Sequence, residues 1–238
     1  MSLPPELVDK ILTHLQHDKR ALRTCSLVAK SWAYPSQKLL FASIYLTPKI
    51  YERRLENASS MSTEVLRHAH TLTCRQFFPY NFPSGDYLKS LHRLQHLTLG
   101  NMGHIVSIPP DLFLGFPETL SSLSLDWVLI PWSTFVGLID YFTHLRELHF
   151  HRSSFGTDSF DVPPLSRPPR GKLWFSESDL STLSQGIAGL YPEYDQLEII
   201  PHCPSECSHV QHIIAACEKT LTWLRLHLRR CAQSLCTL

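Results

Sequence analysis

Apolar residues recur along this chain with two different periods. Over residues 3–41 the period is helical. Leu7, Val8, Ile11, Leu12 and Leu15 follow at 3.6-residue spacing. Pro4 and Pro5 suit the start of this helix, because a first-turn residue has no intrahelical N–H bond to lose. Asp18 is placed to cap a second helix carrying Leu22, Cys25, Leu27 and Val28. Ser31 to Phe41 predicts a third short helix, with Trp32, Leu39, Leu40 and Phe41 apolar and Pro35 limiting where it starts. Ser43-Ile44-Tyr45-Leu46 reads as extended.

This opening segment has more apolar surface than it can hide. Roughly forty residues in three short helices cannot bury a dozen large apolar side chains among themselves. The stripes Leu7/Ile11 and Val8/Leu12 point in two directions, so one of them is expected to face another domain or another protein.

Beyond residue 46 the period shortens to two and a longer repeat emerges. Leu-x-x-Leu-x-Leu, with Leu or Phe last, starts at Leu94, Leu120, Leu145 and Leu221, at intervals of 26, 25 and 76. The last interval is close to three times 25 and predicts two degraded copies between. Leu173 and Phe175 fit a unit starting at Arg170, and Leu197 and Ile199 fit one starting at Tyr194. Ala69, Leu72 and Cys74 form a weak copy ahead of Leu94. A period near 25 falls inside the ~20–29 residues of leucine-rich repeats, in which each unit buries its face only against its neighbours. Trp132 to Phe142, Ser178 to Leu190 and His209 to Lys219 are the expected helical returns. Residues 156–171 hold Pro163, Pro164, Pro168 and Pro169 and are expected to be extended and exposed. The Asn or Cys that often follows the triplet by three residues is replaced by Met102, Val128, Ser153 and Arg229, so the side-chain ladder that Asn provides is expected to be missing and the turns less regular.

The run Leu3-Pro4-Pro5-Glu6-Leu7-Val8-Asp9-Lys10-Ile11-Leu12-Thr13-His14-Leu15, followed by Leu22-Arg23-Thr24-Cys25-Ser26-Leu27-Val28-Ala29-Lys30-Ser31-Trp32, closely resembles the F-box, most like its fungal type. The resemblance covers residues 3 to about 46. It implies a three-helix module that docks onto the Skp adaptor of a cullin ubiquitin ligase, and nominates Leu3, Pro4, Pro5, Leu7, Ile11, Leu12, Leu15, Leu22, Cys25, Leu27, Val28 and Trp32 as the docking set. An F-box followed by irregular leucine-rich repeats is a known family architecture, and it implies that the repeats select a protein for ubiquitination. The expected fold class is mixed α/β. An F-box domain spans residues 1–46. A curved leucine-rich-repeat solenoid of about seven irregular repeats, with a parallel concave sheet, spans residues 47–238. The last unit starts at Leu221 and leaves twelve residues after Leu226. A short helix over 228–236 or a C-terminally incomplete array is expected there.

In such a stack the residues between the buried leucines form rows across the concave face. One row is Thr73, Thr98, Ser124, His149, Trp174, Glu198 and Arg225; its neighbour is Thr71, His96, Ser122, Glu147, Lys172, Gln196 and Trp223. A third is Arg75, Gly100, Asp126, His151, Ser176, Ile200 and His227. The first half is small and hydroxylated. The second half holds His149, Trp174, Glu198, Trp223 and Arg225, and exposed Trp and Arg are types enriched at binding hot spots. These side chains either bind a client protein or pack on adjacent strands.

Composition narrows the function classes. The 238 residues carry 22 Lys+Arg against 21 Asp+Glu, a net charge of +1 that gives no general attraction to nucleic acid or acidic membrane. No apolar run reaches the ~18 residues of a membrane span, and Glu6, Asp9 and Lys10 interrupt any leader-like stretch. Seven irregularly spaced cysteines suit reduced thiols, so cytoplasm or nucleus is the expected compartment and the sequon at Asn57 is expected to stay unmodified. No nucleophile elbow, phosphate loop or dinucleotide fingerprint occurs, and no enzyme activity or cofactor is expected. His202, Cys203, Cys207, His209, His212 and Cys217 cluster in sequence but lack a Cys-x-x-Cys pair. His209 and His212 are expected on a solvated helix face with Cys217 toward the core, and no metal is expected. Arg225, Arg229 and Arg230 read as a solvated basic end. The alternative is an interaction protein that binds the adaptor without promoting degradation, or a shortened inactive family member.

Overall fold

Pro4 stands as the N-cap of the first helix, α1 (Pro5–His14), with Pro5 in its first turn. The computed structural model describes residues 3–56, 66–77, 82–104, 116, 118–156, 165, 167–190, 192–201 and 204–227. Asp18 caps α2 (Lys19–Val28): its Oδ1 accepts from the Arg20 and Ala21 amides at 3.0 and 2.9 Å. The next helix, α3 (Lys30–Phe41), starts at Lys30 and takes Pro35 into its second turn. Pro35 therefore does not set the start, and the helix forms one ladder bond fewer around it. Val8, Leu12 and Leu22 form a small core for these three helices, with Leu15, Cys25, Trp32, Leu39 and Leu40 packed on it.

The rest of the described chain is a nine-stranded parallel sheet with helices between strands. Its strands are β1 (Ser43–Leu46), β2 (Thr71–Arg75), β3 (His96–His104), β4 (Ser122–Ile130), β5 (Glu147–His151), β6 (Ser154–Phe155), β7 (Arg170–Ser176), β8 (Glu193–Ile200) and β9 (Trp223–Leu226). They lie side by side in chain order, except that β6 pairs with β4 off the main path. The returns include α4 (Pro48–Glu56), α5 (Gly85–Lys89), α6 (Trp132–Tyr141), α7 (Leu180–Gly189) and α8 (Cys207–Cys217). The three returns expected as helices are α6, α7 and α8; α4 and α5 were not foreseen.

Register follows the repeat. Thr73, Thr98, Ser124, His149, Trp174, Glu198 and Arg225 are successive neighbours across seven strands, and Thr71 through Trp223 form the adjacent row. β1 adds a strand ahead of these. Tyr45 pairs with Thr73, and Ile44 and Leu46 are buried in the large core. Ser43–Leu46, extended as expected, thus packs with the sheet and not with the three helices, and the packing boundary falls near residue 42.

Alternation puts Leu72/Cys74, Leu97/Leu99, Leu123/Leu125, Leu148/Phe150, Leu173/Phe175 and Leu197/Ile199 in that core. Leu224 and Leu226 break the pattern and are exposed on β9. Where the other units place a buried or half-buried apolar residue, Arg170 is exposed, and Pro169 beside it is buried. The described end of that proline-rich return is therefore partly tucked in; Pro163 and Pro164 lie outside the described residues.

The turns are more regular than expected. Gln76, Asn101, Trp127, Arg152 and Glu177, each two residues past a triplet, share a left-handed backbone with φ between 48° and 62°. The residue after each is buried: Phe77, Met102, Val128, Ser153 and Ser178. Val128 N–H donates to Ser153 Oγ, and Ser153 N–H donates to Ser178 Oγ, both at 3.2 Å. A two-step serine ladder thus occupies the place where the Asn ladder was expected to be missing.

Candidate functional site

Two surfaces gather the candidate residues. The first is the outer face of α1 and α2. With Val8 and Leu12 turned inward, 3.6-residue geometry turns Leu7 and Ile11 outward. Leu7 is 46% and Leu27 86% exposed, and Leu3, Ile11 and Val28 are exposed as well. Pro4 and Pro5 are also exposed. A groove of about 480 Å³ between α1 and α3 is lined by Leu3, Pro5, Val8, Tyr34, Pro35 and Lys38. The nominated docking set therefore divides. Leu12 and Leu22 are fully buried, and Leu15, Cys25 and Trp32 pack against them, so these five hold the helices together. Inclusion of Leu12 and Leu22 in a docking face is corrected: no atom of either reaches the surface.

The helices join the larger body through Tyr34, whose ring meets His68 edge-on at 5.4 Å, and through the Ala42 carbonyl, which accepts from the His70 and Thr71 amides.

The second surface is the face of β5–β9 opposite the core. Glu147, His149, Lys172, Trp174, Glu198 and Trp223 line a shallow cavity of about 270 Å³. Trp174 and Trp223 are 39% and 45% exposed. Trp174 meets the His149 ring edge-on at 5.0 Å, so it packs on an adjacent strand while keeping an open face. Lys172 Nζ lies 3.3 Å from Glu147, and Glu198 holds His227 at 2.8 Å and Arg225 at 3.9 Å. Burial lowers the pKa of His149, and the nearby Glu147 carboxylate works in the opposite direction. Further along, Arg75 reaches across β3 to pair with Asp126. Gly100 lies between them, and a Cβ there would sit 3.1 Å from the Arg75 side chain.

A third group was not foreseen. Trp127, Arg152 and Glu177 follow one another along the left-handed turns. The Arg152 guanidinium lies 5.2 Å from the Trp127 ring centroid and 2.7 Å from Glu177. The signal was present in the sequence as positions 25 apart, two past each triplet.

The His/Cys cluster does not assemble among the described residues, where no three His, Cys, Asp or Glu stand together as metal ligands. Cys217 faces the core as expected, and burial pushes its thiol up to about 11. His212 is exposed, whereas His209 turns toward α7 with Nδ1 3.3 Å from Ser184 Oγ. His202, Cys203, Arg229, Arg230, the sequon at Asn57 and the expected helix over 228–236 lie outside the described residues. No described helix is long and apolar enough to cross a membrane. No protein-family model matches the chain, and no curated protein matches it.

Proposed function

We propose that this chain is an F-box type substrate receptor, holding the Skp adaptor of a cullin ubiquitin ligase with α1 and α2 and a client protein with the sheet face of β5–β9. The observation that carries the reading is that Leu7 and Ile11 on α1 and Leu27 and Val28 on α2 stay exposed after Val8, Leu12 and Leu22 have filled the core of the helices. Fully burying such a side chain is worth ~1.5–3 kcal/mol, so four anchors can offset the cost of association. The chain-order parallel sheet with its ~25-residue period supports reading the body as leucine-rich repeats. Its exposed Trp174 and Trp223 support placing the client there. The function is then proximity: a bound client gains effective concentration at the ubiquitin-charged enzyme. The test is co-purification with a recombinant Skp–cullin pair. Wild type should retain the pair and Leu7→Asp/Leu27→Asp should lose it at unchanged melting temperature. Retention by the variant overturns the reading.

A further inference from the structure

The two exposed tryptophans of the sheet face flank a single strand. Trp174 lies on β7 and Trp223 on β9. Between them β8 presents Gln196, in register with Trp223, and Glu198, in register with Trp174. Two strand spacings, ~9.5 Å, separate the two outer backbones, so the rings stand apart with β8 as a floor. All four side chains line the same open cavity of about 270 Å³, together with Glu147, His149 and Lys172. Neither indole is buried, so both present surface to a guest. The volume is below the ~300–1,000 Å³ of small-molecule sites and suits one side chain of a bound protein.

The charge of the lining selects the guest. Glu147 and Glu198 stand against Lys172 alone, because burial keeps His149 uncharged near neutral pH. Lys172 is already engaged by Glu147 at 3.3 Å. Glu198 meets His227 at 2.8 Å and Arg225 at 3.9 Å through Oε1, and its Oε2 has no hydrogen bond among the described residues. Arg225 is exposed and stands at the limit of an ion pair, a contact that contributes little. An apolar guest would shut the Glu198 carboxylate from water without giving it a new partner. An anionic guest would meet two carboxylates and the negative faces of two indoles. A guanidinium matches each group: its plane stacks on an indole, and its N–H groups donate to Glu198 Oε2 and to the Gln196 amide oxygen.

We propose that the client is held by an arginine side chain inserted between Trp174 and Trp223, its guanidinium stacked on an indole face and donating to Glu198. The proposal rests on the receptor reading for the client's place on β5–β9 and names what the client must carry. The test is an NMR titration of the full chain, following the indole N–H resonances, with blocked glycine–serine heptapeptides whose central residue is arginine, lysine, citrulline or glutamate. Saturable shifts of Trp174 and Trp223 are expected with the arginine peptide, half-complete below about 5 mM. The resonances of Trp132, in the large core, and Trp32, packed among the helices, should stay still and report an intact fold. Citrulline, which keeps the shape without the charge, and glutamate should bind at least about tenfold more weakly, and lysine about threefold. Glu198→Gln should weaken the arginine peptide about tenfold, whereas Arg225→Gln, which removes a competing guanidinium, should strengthen it. No saturation by the arginine peptide below about 20 mM overturns the proposal. So does lysine, citrulline or glutamate binding as tightly, unchanged affinity in Glu198→Gln, or weaker binding in Arg225→Gln. Co-purification through α1 and α2 tests the receptor reading separately. A failed titration with the adaptor retained removes the arginine and leaves the receptor, and arginine binding with the adaptor lost does the reverse.

Discussion

The Ser153 hydroxyl oxygen accepts from the Val128 amide at 3.2 Å and lies 3.0 Å from the carbonyl oxygens of Leu125 and His151, to one of which it donates. Ser153 is buried, as is Ser178, which repeats the bond to the Ser153 amide. Two strand exits are thus tied together where water cannot substitute. Ser153→Ala should cost ~1–3 kcal/mol, because it leaves a buried amide unpaired. Ser124→Ala, on the partly exposed face, should stay within ~0.5 kcal/mol. Urea denaturation of both variants checks this.

The strand register was legible because alternation is a strict signal. A Leu or Phe at every second position settles which face is buried, and a slip of one would expose Leu97 and Leu99 together. Ser43–Leu46 reads as extended, but its place in the repeat was harder to see: Phe41, Ile44 and Leu46 repeat the spacing 28 residues before Ala69, yet Phe41 ends a helix and only Leu46 matches the leucine pattern by type. The serine ladder was hidden by chemistry, since an Asn was sought where a smaller hydroxyl makes the same amide contact. The division of the docking set into Leu7, Ile11, Leu27 outward and Leu12, Leu22 inward needed coordinates, because helix spacing separates stripes without saying which one finds a partner.

That division has a thermodynamic signature. Leu12→Ala or Leu22→Ala removes a fully buried side chain from a core of few residues and should cost ~2–5 kcal/mol. Leu27→Ala, at 86% exposure, should change stability by no more than ~0.5 kcal/mol. Thermal melts of the three variants compare them directly. Equal losses would mean that Leu27 is packed in solution.

Two glycines carry backbone and packing that no other residue fits. Gly171 has φ +98°, and a Cβ there would overlap the Arg146 carbonyl oxygen, which accepts from Lys172 N–H at 2.7 Å. Gly186 faces the Trp132 ring, which has little room to yield because Phe135 and Phe155 also pack on it. Gly186→Ala should cost ~1–3 kcal/mol as an overpacked contact. It should also alter the near-ultraviolet circular dichroism of Trp132. Gly171→Ala should cost at least as much, from backbone strain added to the clash.

His149 predicts a pH dependence with a definite sign. Its burial beside Trp174 disfavours the charged imidazolium, so its folded pKa lies below the ordinary 6.5. Glu147, 3.9 Å away, and the more distant Glu198 favour the proton, while Lys172 opposes it; desolvation is the largest of these influences. As pH falls through 6.5, the unfolded chain takes up this proton first and the folded chain resists. The stabilisation is therefore present above 6.5 and is lost as pH falls through the lowered folded value. His149→Gln removes the titrating group, so the fall in melting temperature on acidification below about pH 6.5 should be shallower than in wild type. The same titration followed by NMR should place the His149 midpoint below the ordinary 6.5. A His149 midpoint at or above 6.5 would mean that Glu147 outweighs burial, and the slope difference should then reverse.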